Sequence, residues 1–185
     1  MFIDDIQSMS RMRRVPAVRY WLMLLLLALI TGCGAETDPE RIAARWVLDS
    51  GGQLQVDADG KATTISAETG LPAGALNVVG VAWDIYPGDR NPRVTDAELV
   101  HFASFPKLKS LDIWASDVTD AGMAQLTKLP ALEQLILTDT KITDAGLAQI
   151  EQIKTLQELS LIDTQVTKAG VAKLKRALPN CRVRN

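Results

Sequence analysis

Three segments of this chain align without a gap at a period of 24 residues, starting at Leu108, Leu132 and Leu156. They read LKSLDIWASDVTDAGMAQLTKLPA, LEQLILTDTKITDAGLAQIEQIKT and LQELSLIDTQVTKAGVAKLKRALP. A repeat this short cannot bury its own apolar face, so each unit must stack on its neighbours and the array must be covered at both ends. Within one unit the apolar period changes. Leu111 and Ile113 alternate as on a half-buried strand. Thr119 then stands where a helix N-cap belongs, with Asp120 in the first turn near the positive end of the helix dipole. Met123, Leu126 and Leu129 follow at helical spacing and are expected to face the core. Gly122, Gly146 and Gly170 recur in the first helical turn, where Gly is unfavourable, so their repetition implies close backbone packing at that point. Ser116, Thr140 and Thr164 fall on the turn after the strand, and their hydroxyls are expected to bond the backbone of the adjacent coil.

The shared pattern L-x-x-L-x-[LI]-x-x-[ST]-x-[VI]-T-[DK]-A-G-[MLV]-x-x-[LI] resembles the leucine-rich repeat. The likeness is to the variant in which Thr or Ser replaces the usual Asn and a T-D-A-G helix start follows. Bacterial repeat proteins of this type and the cysteine-containing repeats of F-box proteins look similar. The resemblance covers roughly residues 76–183. It implies an α/β fold, a short right-handed leucine-rich-repeat solenoid with parallel strands on a concave face and helices on a convex face. A degenerate repeat precedes the regular three. Val78, Val81 and Trp83 fit its strand, Val94-Thr95-Asp96-Ala97 its helix start, and Leu99, Phe102 and Phe105 its helix face. Between them residues 84–93, with two Pro and a Gly, form an insertion of about six residues.

The two ends read as caps. Pro39 to Asp49 predicts a short amphipathic helix with Ile42, Trp46 and Val47 on one side, stopped by Gly51-Gly52. Gln53 to Ile65 alternates around Asp57-Ala58-Asp59-Gly60, a hairpin turn. A helix-hairpin unit over residues 39–75 thus covers one end, the repeat domain occupies 76–185, and the stretch from Ala177 to Val183 closes the other end. Cys181 is expected to be a buried thiol on a last short strand, not a nucleophile.

The first 32 residues are read as an address. Arg11, Arg13, Arg14 and Arg19 precede the apolar run YWLMLLLLALI, which is shorter than the roughly 20 apolar residues a membrane-spanning helix needs. The run ends in Leu29-Ile30-Thr31-Gly32-Cys33, which resembles the lipobox of bacterial lipoproteins. That resemblance implies a signal peptide over 1–32, lipid on Cys33 as the first mature residue, and a tether over 33–38. The chain would then be a lipid-anchored protein of the cell envelope, facing the periplasm or the surface. Gly34, where enteric bacteria use Asp for inner-membrane retention, points towards the outer membrane. The other reading of this segment is an uncleaved signal anchor.

Removing residues 1–33, with four Arg and two Asp, takes the formal charge from −2 to −4. A mildly acidic module has no general attraction to nucleic acid or anionic lipid, so nucleic acid is not an expected partner. One His, His101, and one cysteine beyond the lipobox leave little for metal binding or nucleophilic chemistry. His101 is expected on the convex side as a surface or satisfied residue. Asp117, Asp139 and Asp163 are expected to line the turn after the strands as solvated groups. No catalytic set, metal site or cofactor is assigned, and the chain is expected to be a monomeric binding module, not an enzyme. In leucine-rich repeats the residues between the strand leucines point out of the concave face. Here these include Asp112, Gln134 and Glu158, then Trp114, Ile136, Thr138 and Ile162. Trp114, Ile136 and Ile162 are apolar where solvent is expected, and an apolar patch with an aromatic anchor suits an unknown protein partner. The rival reading is a structural or scaffold subunit of an envelope complex. The 84–93 loop, with Tyr86, Arg90 and Arg93, is a second candidate contact.

Overall fold

The computed structural model describes residues 37–83 and 94–185. The signal segment, Cys33, the tether up to residue 36 and the inserted loop lie outside these residues.

The described chain is a mixed α/β unit built on one seven-stranded sheet in the order β2-β1-β3-β4-β5-β6-β7. The strands are β1 (Gly52–Ala58), β2 (Lys61–Ile65), β3 (Val78–Trp83), β4 (Ser110–Asp112), β5 (Gln134–Ile136), β6 (Glu158–Ser160) and β7 (Arg182–Arg184). β1 is antiparallel to both β2 and β3, and from β3 to β7 every pairing is parallel. The register carries the repeat directly. Leu111 pairs with Leu135, Leu135 with Leu159 and Leu159 with Val183, each step being 24 residues. Gly80 pairs with Ser110, a step of 30, so the predicted six-residue insertion is accommodated without shifting the ladder.

Each coil sends alternate strand residues to opposite faces. Leu111, Leu135 and Leu159, with Ile113, Leu137 and Leu161, are almost wholly buried beneath the helical side of the coils. That side is made of a 3₁₀ helix (Glu98–Ser104), a 3₁₀ turn (Asp120–Gly122) running into α2 (Met123–Leu126), then α3 (Asp144–Ile150) and α4 (Lys168–Ala177). Met123 and Leu126, Leu147 and Ile150, and Val171 and Leu174 fill the core from this side. In the degenerate coil Leu99, Phe102 and Phe105 do so, from a 3₁₀ rather than an α-helix.

The N-terminal unit matches its reading with one correction. Helix α1 spans Pro39–Asp49, and Asp38 caps it by accepting from the Glu40 N–H at 3.0 Å. Gly51 (φ 82°) ends it. Asp59 (φ 56°) and Gly60 (φ 81°) make the hairpin turn, whose paired positive φ values match the right-handed twist of the strands. The buried residues of α1 are Ala43, Ala44, Val47 and Leu48, whereas Ile42 is exposed and Trp46 half-buried. The small face wins because the helix lies close to the sheet, where Val47 and Trp83 both pack against Gly52.

Trp46 stacks on His101 (4.7 Å, 25°) and meets Trp83 and Phe102 edge-on (both 6.1 Å). His101 is therefore a packing residue between α1 and the degenerate coil. Burial pushes its pKa below the ordinary His value, with Glu98 opposing. Folding thus favours the neutral ring. The contribution is complete above about pH 6.5 and is lost as the pH falls from there through the lowered folded value. We expect the fall in melting temperature between about pH 7.5 and about pH 5.5 to shrink in His101→Gln. An unchanged pH profile in that variant counts against the assignment.

Candidate interaction face

The outer sheet face is held in place by a coil-to-coil hydrogen-bond ladder on the helix side. Asp120 Oδ1 accepts from the Thr143 N–H (2.8 Å) and its Oδ2 from the Thr143 hydroxyl (2.6 Å). Asp96 does the same for Thr119, and Asp144 for Thr167. The receiving Thr also caps its own helix, accepting from Ala121, Ala145 or Gly170. This explains the conserved spacing of T-D-A-G within the chain. A methyl group on Gly122, Gly146 or Gly170 would fall within contact distance of the carboxylate of Asp96, Asp120 or Asp144 in the preceding coil. The approach is close, but the expected backbone neighbour is replaced by a side-chain carboxylate. The two hydrogen bonds from Thr167 hold the Asp144 carboxyl below the usual carboxylate range. At the same position the last coil has Lys168.

Two expectations about the turns are corrected. Thr140 donates to Leu137 O (2.6 Å) and Thr164 to Leu161 O (2.7 Å), so these hydroxyls bond their own coil and not the next. The acidic row is also out of register. Asp139 and Asp163 share their column with Ala115, and all three adopt left-handed backbone (φ 53°, 55° and 53°). Asp tolerates that conformation, which gives these two residues a conformational role. Asp117 belongs to the next column but one, beside Lys141, with which it pairs at 2.8 Å.

On the sheet's outer face the sequence-predicted residues do line up in rows. The first row runs Ser110, Gln134, Glu158, Arg182 and the second Asp112, Ile136, Ser160, Arg184. The third holds Trp114, Thr138 and Ile162, fixed by backbone bonds from Ala115 N–H to Thr138 O (2.8 Å) and Asp139 N–H to Ile162 O (2.9 Å). Several polar members bond one another. Gln134 donates to Glu158 (3.2 Å), Glu158 pairs with Arg184 (2.5 Å), and the Thr138 and Ser160 hydroxyls are 2.9 Å apart. Asp112 accepts from the Trp114 N–H (3.2 Å), and burial raises its pKa. Among the apolar members, Trp114 and Ile136 are half-buried and Ile162 is 41% exposed, beside the exposed Gln134, Arg182 and Arg184. The sequence reading did not single out Arg182 and Arg184, though the 24-residue step from Glu158 and Ser160 points to both.

Cys181 is buried, and burial raises its thiol pKa, so it stays protonated near neutrality and packs as a small hydrophobe.

No protein-family model matches the chain, and no curated protein matches it. Among solved structures, an internalin from Listeria monocytogenes, a leucine-rich-repeat protein, is similar over 47% of this chain, at 16% identity and a TM-score of 0.36. The match covers 31% of the internalin chain, so the present chain spans less than a third of that protein.

Proposed function

We propose that the chain is a short leucine-rich-repeat solenoid acting as a protein-interaction module. In this reading a lipid on Cys33 anchors it in the cell envelope, and it binds a protein partner through the concave sheet face. The observation that carries the proposal is the apolar set Trp114, Ile136 and Ile162 on a face where several of the polar groups bond one another. Partner surfaces of this kind have an aromatic or aliphatic centre and a satisfied polar rim. The reading gives the protein no catalytic role.

The test uses the full chain in bacterial envelopes, with a photo-crosslinking residue at position 162 or, on the exposed side of α4, at position 172. Crosslinks to one protein from 162 but not from 172, lost in Trp114→Ala, support the proposal. Crosslinks confined to 172 would favour the scaffold reading. The mass of the mature N-terminus checks the anchor: an unmodified Cys33 sinks that part alone.

A further inference from the structure

Towards the end of the described array, bases stand where three stacking acids stand one repeat earlier. Three acids of the last two coils reach forward. Asp144 takes Thr167, Glu151 pairs with Lys173 (3.2 Å) and Glu158 pairs with Arg184 (2.5 Å). Twenty-four residues on, the equivalent positions hold Lys168, Lys175 and Arg182, all exposed. Each of these three acids thus has a base at the equivalent position towards the end of the described array. Residues 154–185 hold seven Lys and Arg against two Asp and Glu, in a chain of net charge −2. The same end carries β7, the edge strand, whose far side has no strand beside it among the described residues.

We infer that this end docks an acidic, extended segment of a partner protein as an added parallel strand beside β7. Strand addition supplies main-chain hydrogen bonds, and the side chains on alternate positions set specificity. The sheet already shows the matching chemistry. Within the row that ends at Arg182 the preceding residue is Glu158, and its carboxylate holds Arg184 from the inner side. A carboxylate on the added strand would meet Arg182 from the outer side in the same manner. Lys168 and Lys175 add positive potential along the same end and steer an anionic partner. Other copies of this chain fit poorly. β7 against β7 sets Arg against Arg, and the opposite edge strand β2 carries Lys61 and no acid.

The experiment uses the full chain in neutral detergent and a fluorescein-labelled peptide of alternating Glu and Val, read by anisotropy. Saturable binding is expected at low salt, with none for the Lys-for-Glu peptide. Methylating alternate backbone nitrogens of the acidic peptide should weaken binding by about tenfold or more, since it removes strand hydrogen bonds. Arg182→Glu should do likewise, with circular dichroism confirming the fold. Lys175→Glu, on the helix and away from the strand, should weaken binding by a smaller factor and more so at low salt. Three results overturn the inference: no saturable binding, equal binding of the methylated peptide, or stronger binding to phosphatidylglycerol vesicles than to the peptide. Trp114→Ala should leave peptide binding unchanged, so this test and that of the concave face fail independently.

Discussion

Phe102→Ala is expected to destabilise the protein by about 3–5 kcal/mol, as truncation of a fully buried aromatic side chain does. Phe102 is wholly buried and meets Trp46 and Trp83 edge-on at 6.1 and 6.2 Å. Those rings belong to α1 and β3, so Phe102 is where the N-terminal helix, the antiparallel end of the sheet and the first coil share one core. Its loss removes apolar burial and three-way aromatic packing at once. Urea unfolding followed by Trp fluorescence measures the change. Because Trp46 and Trp83 line the cavity, their emission should shift to the red before the far-ultraviolet dichroism of the coils is lost. A change below about 1.5 kcal/mol, far under the usual range, would show that the cap and coils do not depend on this contact.

The second large effect concerns Asp120 and Gly146. Asp120→Ala removes two hydrogen bonds to Thr143 and leaves that N–H without its acceptor, which should cost about 2–3 kcal/mol. Gly146→Ala should cost a similar amount, because the new methyl group meets the Asp120 carboxylate and displaces it from Thr143. The two changes act on one arrangement. The double variant should therefore be less destabilised than the sum of the singles, with a coupling of about 1–2 kcal/mol. Thermal unfolding of all four proteins gives that number. Strict additivity would mean that Gly146 is required for some other reason.

Much of this architecture is legible from spacing. The period of 24 places every strand and helix of the regular coils, and the offset from Gly80 to Ser110 confirms the size of the insertion. The cap helix and hairpin follow from Gly51 and from Asp59-Gly60. Side-chain roles that cross between coils are less legible. Read within one coil, Asp120 looks like a residue favoured by the helix dipole. Its acceptor role appears only when Thr143, 23 residues on, is laid beside it. Likewise Asp139 looks like a companion of Asp117 until the left-handed backbone pairs it with Ala115. Ile42 looked buried because the helix pattern has more than one apolar face, and the small residues decide which face can approach the sheet. The rows of the candidate face follow directly from the repeat, but which of their polar members neutralise one another depends on rotamers that no pattern encodes.

The Asp–Thr ladder also bears on how such a chain can change length. An internal unit such as residues 132–155 brings its own acceptor, donor and relief glycine, so a tandem duplication of that stretch would join seamlessly at both junctions. Copying the last unit onto its own end would set Lys168 where an acid is required. Duplication of the units before residue 156 thus preserves the Asp–Thr bonds at each junction, whereas duplication of residues 156–179 would lose one pair of them.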